Sequence, residues 1–216
     1  QGFKITNGNG IQLGGGIFIK EASPSFSKLL VANNSSNEKG GGIYIDDNSS
    51  PKFSYLEISN NSTYKDGGGV FIGDNANAVF TKVIIKSNNT RTAYYSSLGG
   101  GGVCSHLSSP TFDDVSFLNN SSESHAGGIY LRGGGNSLIE PILKNVTFEN
   151  NTSRWYGGGL LAYSNISPKI SNSVFRENTA QLGGGFMWFD IKKGGSISNV
   201  VIENNTSTNT AQLGGG

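Results

Sequence analysis

The sequence predicts an all-β fold, a right-handed parallel β-helix (β-solenoid) of about seven turns with an internal Asn ladder, and three regularities carry that expectation. The first is a glycine triplet running into a short apolar segment: GGGIFI at 14–19, GGGIYI at 40–45, GGGVFI at 67–72, GGGVCS at 100–105, AGGIYL at 126–131, GGGLLA at 157–162 and GGGFMW at 183–188. The starts lie 26, 27, 33, 26, 31 and 26 residues apart, so one unit is about 26 residues with two or three insertions. Self-similarity at such a period signals stacked units, each too small to bury its own apolar face. The second regularity is a set of apolar columns at fixed offsets behind each triplet. The third is an asparagine at the same place in all seven units.

Each unit opens at its triplet, the corner where the backbone must bend tightly or approach a neighbour too closely for a Cβ. The apolar segment after it is a strand. A polar turn follows, often ending in proline, as at Ser23-Pro24, Ser50-Pro51, Ser109-Pro110, Pro141 and Ser167-Pro168, where the missing N–H lies just outside the ladder. A second run then begins with Phe26, Phe53, Phe80, Phe112, Leu143, Ile170 and Ile197. Three residues on stand Leu29, Leu56, Val83, Val115, Val146, Ser173 and Val200, and two further on Val31, Ile58, Ile85, Phe117, Phe148, Phe175 and Ile202. The last two columns alternate with polar residues, which is the period of a strand.

Three residues past the last apolar column comes Asn34, Asn61, Asn88, Asn120, Asn151, Asn178 or Asn205. Identical amides one strand spacing apart, roughly 4.8 Å, can each donate to one neighbour and accept from the other, so the column is expected to stack inside a turn. The residue just before it is asparagine in five units but Ser87 and Glu177 in the other two, and a tolerated glutamate places that column in water. Strands that recur without any helical period between them must coil and pair in parallel with their counterparts in the next turn. Parallel crossovers are right-handed almost without exception, which sets the hand. Seven turns make a rod on the order of 35 Å long.

Composition bounds the function. Glycine supplies 33 of 216 residues, about twice the ordinary ~7%, yet no strict Gly-X-Y period exists and proline is only 5, which excludes collagen. With 16 basic against 15 acidic residues there is no electrostatic case for nucleic acid or an anionic membrane as partner. No apolar run is long enough to span a membrane, and no basic-then-apolar leader opens the sequence. The single Cys104 rules out an internal disulfide framework. Residues 1–216 are expected to form one elongated domain, part of a longer polypeptide, because the triplet at 214–216 would open an eighth turn and leave an edge free to stack end to end with more of the same chain.

The openings of the form Gly40-Gly41-Gly42-Ile43 and the endings Phe148-Glu149-Asn150-Asn151 and Phe175-Arg176-Glu177-Asn178 are similar to the repeats of polymorphic outer membrane proteins. The fuller pattern, Gly-Gly-Gly-Ile-Tyr, then Ser-Ser-Pro, then Asn-Asn-Ser, resembles the right-handed β-helix repeat proteins that Bacteroidetes and other bacteria secrete to their surface, and residues 1–10 resemble the opening of such a domain. The resemblance spans the whole chain. It implies secretion, an extracellular or cell-surface location, and adhesion or polysaccharide contact; it supplies no catalytic residue, because the matching residues are those that build turns and ladders.

Two function classes follow. The favoured one is a non-enzymatic surface protein, a rigid adhesin or stalk segment that contacts carbohydrate or a surface protein. In the first strand the middle residue should point away from the core, and there stand Phe18, Tyr44, Phe71, Cys104, Tyr130, Leu161 and Met187, expected as an exposed row. With the aromatic turns ahead of that strand, the expected ligand-binding set is Tyr44, Phe71, Tyr94, Tyr95, Tyr130, Trp155 and Tyr156, rings able to stack on sugars or a protein. Stacking of like side chains for stability alone explains the row equally simply. The alternative class is a polysaccharide lyase or glycoside hydrolase, which needs two carboxyls about 5–9.5 Å apart. Asp46, Asp47, Asp74, Asp113, Asp114 and Asp190 are read instead as solvated turns, and no catalytic residue, cofactor or metal is assigned; Cys104, His106 and His125 match no metal-ligand spacing. Asn-x-Ser/Thr recurs, for example at Asn33, Asn60, Asn119, Asn150 and Asn204, either as a file of glycan acceptors or as a by-product of the turn.

Overall fold

The computed structural model describes residues 2–10, 12–92, 98–134, 139–190 and 194–209 and shows a parallel β-helix in which every turn crosses three sheets. The first sheet is seven-stranded and takes the segments behind the triplets, from Ile17–Ile19 through Ile43–Ile45 and Ile129–Arg132 to Phe186–Phe189. The second holds eleven strands and carries the three apolar columns; the third is a stack of eight two-residue strands such as Ser62–Thr63 and Asn89–Thr90. Strand register is that of the repeat: Tyr44 pairs with Phe71, Phe53 with Phe80, and Ile58 with Ile85.

Left-handed backbone marks the places where a turn changes direction. In the second turn they are Gly40 (φ 65), Asn48 (φ 60), Tyr55 (φ 57) and Asn60 (φ 54), and the columns of Gly40, Tyr55 and Asn60 recur in register along the rod. The Tyr55 column bends the second sheet, so that Val79–Lys86 kinks at Lys82 (φ 55) and Thr111–Leu118 at Asp114 (φ 58). The Asn60 column is the one expected in water, and it is exposed from Asn33 to Asn204, Glu177 included. Asparagine there fits its tolerance of the left-handed region.

The triplet combines two requirements. At its first position the demand is conformational, and Ala126 (φ 51) shows that one Cβ can be carried there. At the second and third positions it is steric: a Cβ on Gly41 would sit 2.3 Å from the Ser62 carbonyl oxygen and 2.4 Å from that of Gly68, and one on Gly42 would sit 2.7 Å from the Gly69 oxygen. The corner is therefore the place where two consecutive turns touch backbone to backbone.

Behind that contact lies the asparagine ladder. Nδ2 of Asn61 donates to Oδ1 of Asn88 (3.0 Å) and to the Val31 carbonyl (2.9 Å), while its Oδ1 accepts from Nδ2 and from the backbone N–H of Asn34 (3.0 Å each). The amide thus makes all four hydrogen bonds it can make. The amide-to-amide contact repeats from Asn34 to Asn205 at 2.9–3.0 Å, always donating toward the higher-numbered turn. Asn61, Asn88, Asn120, Asn151 and Asn178 are fully buried.

The core is stacked in the same way. Phe26, Phe53, Phe80 and Phe112 form a file with centroids 4.8–5.3 Å apart, and Phe117, Phe148 and Phe175 form a second file at 4.6–4.8 Å. The file changes column in the fourth turn, where Phe112 meets Phe117 edge to face at 5.6 Å. Each such pair adds about 0.5–1.5 kcal/mol to the burial of its rings. Ser173, the one polar residue in the Leu29 column, is buried but satisfied: its Oγ donates to the Ser171 carbonyl (2.8 Å) and accepts from the Val146 N–H (3.1 Å).

Candidate functional site

Strand alternation turns Ile43 and Ile45 into the coil and Tyr44 out of it, so the row from Phe18 to Met187 lies on the outer side of the first sheet, as expected. Its exposure differs from the expectation. Tyr44 is 8% exposed, Phe71 2% and Tyr130 4%, and only Phe18, at 49%, stands open. From Tyr44 to Leu161 the row forms, with Ala126, a second, outer apolar cluster, against which Met187 of the row and Leu13, Leu98, Tyr156 and Tyr163 pack. What covers it is the column just ahead of the triplets, occupied by Leu13, Lys39, Asp66, Gly99, His125, Tyr156 and Leu182, together with residues two places beyond the row.

The cover differs from turn to turn. Over the second and third turns it is closed and charged: the Lys39 ammonium lies 4.4 Å from the Phe71 ring centre, and the nearly buried Asp66 carboxylate accepts the backbone N–H groups of Leu98 (2.7 Å) and Gly99 (3.3 Å). Burial raises the Asp66 pKa, against the pull of those N–H groups and of Lys39 and Lys65. Burial likewise pushes Tyr44 up to about 12, helped by Asp46, whose carboxylate accepts the Tyr44 hydroxyl (3.3 Å), and by Asp47. Cys104 is fully enclosed, and its thiol pKa is raised well above the usual value by the same burial.

Over the fifth to seventh turns the cover parts into a groove of about 290 Å³, lined by Leu98, His125, Tyr130, Arg132, Tyr156, Leu161, Tyr163 and Phe189. Tyr130 and Leu161 form its floor. One wall is His125 stacked on Tyr156 (5.1 Å, 9°) and the other Tyr163 stacked on Phe189 (5.6 Å, 7°). Phe189 is 51% exposed at the rim. Partial burial lowers the His125 pKa, so the ring in this wall favours its neutral form, and its buried Nδ1 has no hydrogen-bond partner among the described residues. A second depression of about 310 Å³ adjoins the first at Arg132; its lining includes Asp74, His106 and Gly133, with His106 Nδ1 2.5 Å from Asp74 Oδ1.

Of the residues expected to bind ligand, the groove takes Tyr130 and Tyr156. Tyr44 and Phe71 belong to the same outer strip but lie under the closed cover, stacked on each other at 5.4 Å. Trp155 packs beneath the Arg154 guanidinium (5.2 Å) and does not line the groove. Tyr94 and Tyr95 lie outside the described residues. The aspartates do not converge: Asp47 caps the Asp74 N–H (2.8 Å), Asp74 meets His106, and Asp113 accepts from Asn145 (2.9 Å). Arg132, Tyr163 and Phe189 were passed over in the sequence because they follow the strand, where charged and polar turns were expected; the signal that would have found them is their shared register two places beyond the outward row.

Comparison with known proteins agrees with this architecture. Residues 2–117 match the family of right-handed β-helix regions, and residues 145–163 match the Chlamydia polymorphic membrane protein repeat. The second match runs from the strand Thr147–Glu149 and the Asn150-Asn151 corner behind it through the triplet at 157–159 to Tyr163 in the groove wall. No curated protein and no solved structure matches the chain.

Proposed function

Because the chain belongs to the family of right-handed β-helix regions, we propose that residues 1–216 act as one elongated, rigid segment at the cell surface, an adhesin or stalk that contacts carbohydrate or a surface protein through the groove on its outer face. The observation that carries the reading is the opening of the outer cover over the fifth to seventh turns, which leaves aromatic walls around a concave site of about 290 Å³. That volume lies at the lower edge of the ~300–1,000 Å³ typical of small-ligand sites. A surface location draws support from the match of residues 145–163 to a repeat named for a membrane protein. Extracellular display also suits the construction, since a ladder of satisfied amides and a stacked Phe file give a stiff rod.

A glycan array, a binding screen against surface proteins and an assay for reducing or unsaturated sugar ends test the proposal together. Binding without turnover is expected, and it should fall by at least tenfold in the double variant Tyr163→Ala, Phe189→Ala. Binding that survives both changes would remove the groove from the role; turnover of a bound polysaccharide would replace the adhesin reading with an enzymatic one.

A further inference from the structure

The lining of the groove has a sign. Its residues include no carboxylate, and Arg132, which stands at the junction with the second depression, forms no ion pair among the described residues. In each wall the ring gives a face to its axial neighbour, His125 to Tyr156 and Tyr163 to Phe189, so the rings turn their edges toward the space between the two columns. Ring edges carry the positive part of the aromatic quadrupole, while a neutral sugar that stacks needs a ring face. A guanidinium with free donors, flanked by ring edges and phenol hydroxyls, is matched by a planar anion of two oxygens.

We propose that this trough binds a carboxylated sugar, with the carboxylate held by Arg132, the ring of the acidic residue in the groove, and its linked neighbour in the depression beside His106 and Asp74. The assignment rests on the surface-contact reading above and narrows its ligand. Size favours a saccharide over a peptide chain: each depression, near 300 Å³, takes one compact ring, and the two meet at Arg132, the one Lys or Arg among their described lining residues. Asp74, already paired with His106, supplies an acceptor for a sugar hydroxyl at the far end, away from the carboxylate.

Calorimetric titration of the chain decides the matter, using a glucuronate-containing disaccharide and sialyl-lactose, the carboxyl-reduced form of each, and a Glu-Gly-Glu tripeptide. At least one acidic saccharide should bind, and its carboxyl-reduced form should bind at least tenfold more weakly. Arg132→Gln should weaken the acid by the same factor and leave the reduced form unchanged, Arg132→Lys should fall between, and Lys82→Gln, on another sheet, should have no effect. Should Arg132→Gln fail to fold, the comparison of acid with reduced sugar on the unaltered protein still decides. Failure of both acids to bind, equal binding of acid and reduced form, or tighter binding of the tripeptide would each overturn the proposal. Binding of a neutral sugar that is lost in Phe189→Ala but kept in Arg132→Gln would overturn it as well, while leaving the groove as a contact site.

Discussion

Two columns run the length of this rod, the ladder from Asn34 to Asn205 inside a corner and the outward row from Phe18 to Met187, and they obey different rules. The inner column is asparagine in every turn; the outer one changes from Phe to Tyr, Cys, Leu and Met. Both are largely buried, so burial is not the difference. In the ladder each side chain must close four hydrogen bonds with two neighbours and a carbonyl, and no other side chain of that size offers two donors and an acceptor with two lone pairs. In the outer row the neighbours ask only for contact, and many shapes supply it. Uniformity marks the scaffold, and variation marks where the molecule is free to carry a site.

Substitution in the two columns should separate them clearly. Asn120→Leu strands the Asn88 N–H, one Asn88 Nδ2 hydrogen and the Ile85 carbonyl, which at ~1–3 kcal/mol apiece predicts a loss of about 3–9 kcal/mol in urea unfolding. Tyr130→Phe, a shape-conserving change in the outer row, should cost less than about 1.5 kcal/mol. An equal loss in both variants would break the distinction. A smaller effect sharpens it through pH. Folding raises the Asp66 pKa, so the folded protein binds that proton more tightly than the unfolded chain does; its stabilising effect is complete below ~3.9 and is lost as the pH rises through the folded value. Asp66→Asn should therefore gain on the parent most at neutral pH, and the gap should shrink as the pH is lowered toward 4; a gap independent of pH would count against a buried, charged Asp66. A small loss of stability, about 0.5–1.5 kcal/mol for the ring pair it makes with Tyr163, is expected of Phe189→Ala at the half-exposed rim, although binding in the groove should suffer.

The scaffold was legible because its signal is repetition. The three apolar columns and the asparagine column each follow from a requirement that is the same in every turn, and they stand in register as the sequence implies. The left-handed backbone at Asn33, Asn60 and Asn119 gives a reason for the second asparagine column beyond exposure alone. The candidate groove was legible only in part. Tyr130 and Tyr156, which line it, stand out as aromatic side chains, but whether an outward residue is covered depends on a neighbouring column, and that column runs Leu13, Lys39, Asp66, Gly99, His125, Tyr156, Leu182 with no pattern to read. Periodicity reports which way a side chain points. It says nothing about what lies across it, so Tyr44 and Phe71 read as exposed when they are enclosed, and Arg132, which stands between two depressions, drew no expectation.

The ladder's one-way hydrogen bonding also bears on how such a rod changes length. Every internal turn offers its lower neighbour the same pair of lone pairs and its upper neighbour the same pair of donors, so at the ladder any turn's upper face is chemically interchangeable with any other's. A duplicated or deleted unit of about 26 residues would meet a matching socket and plug in the ladder on both sides, whereas a loss of 13 would put the glycine and asparagine corners out of register. Length in such a rod is thus quantised in whole turns, and the groove belongs to the three turns that build it.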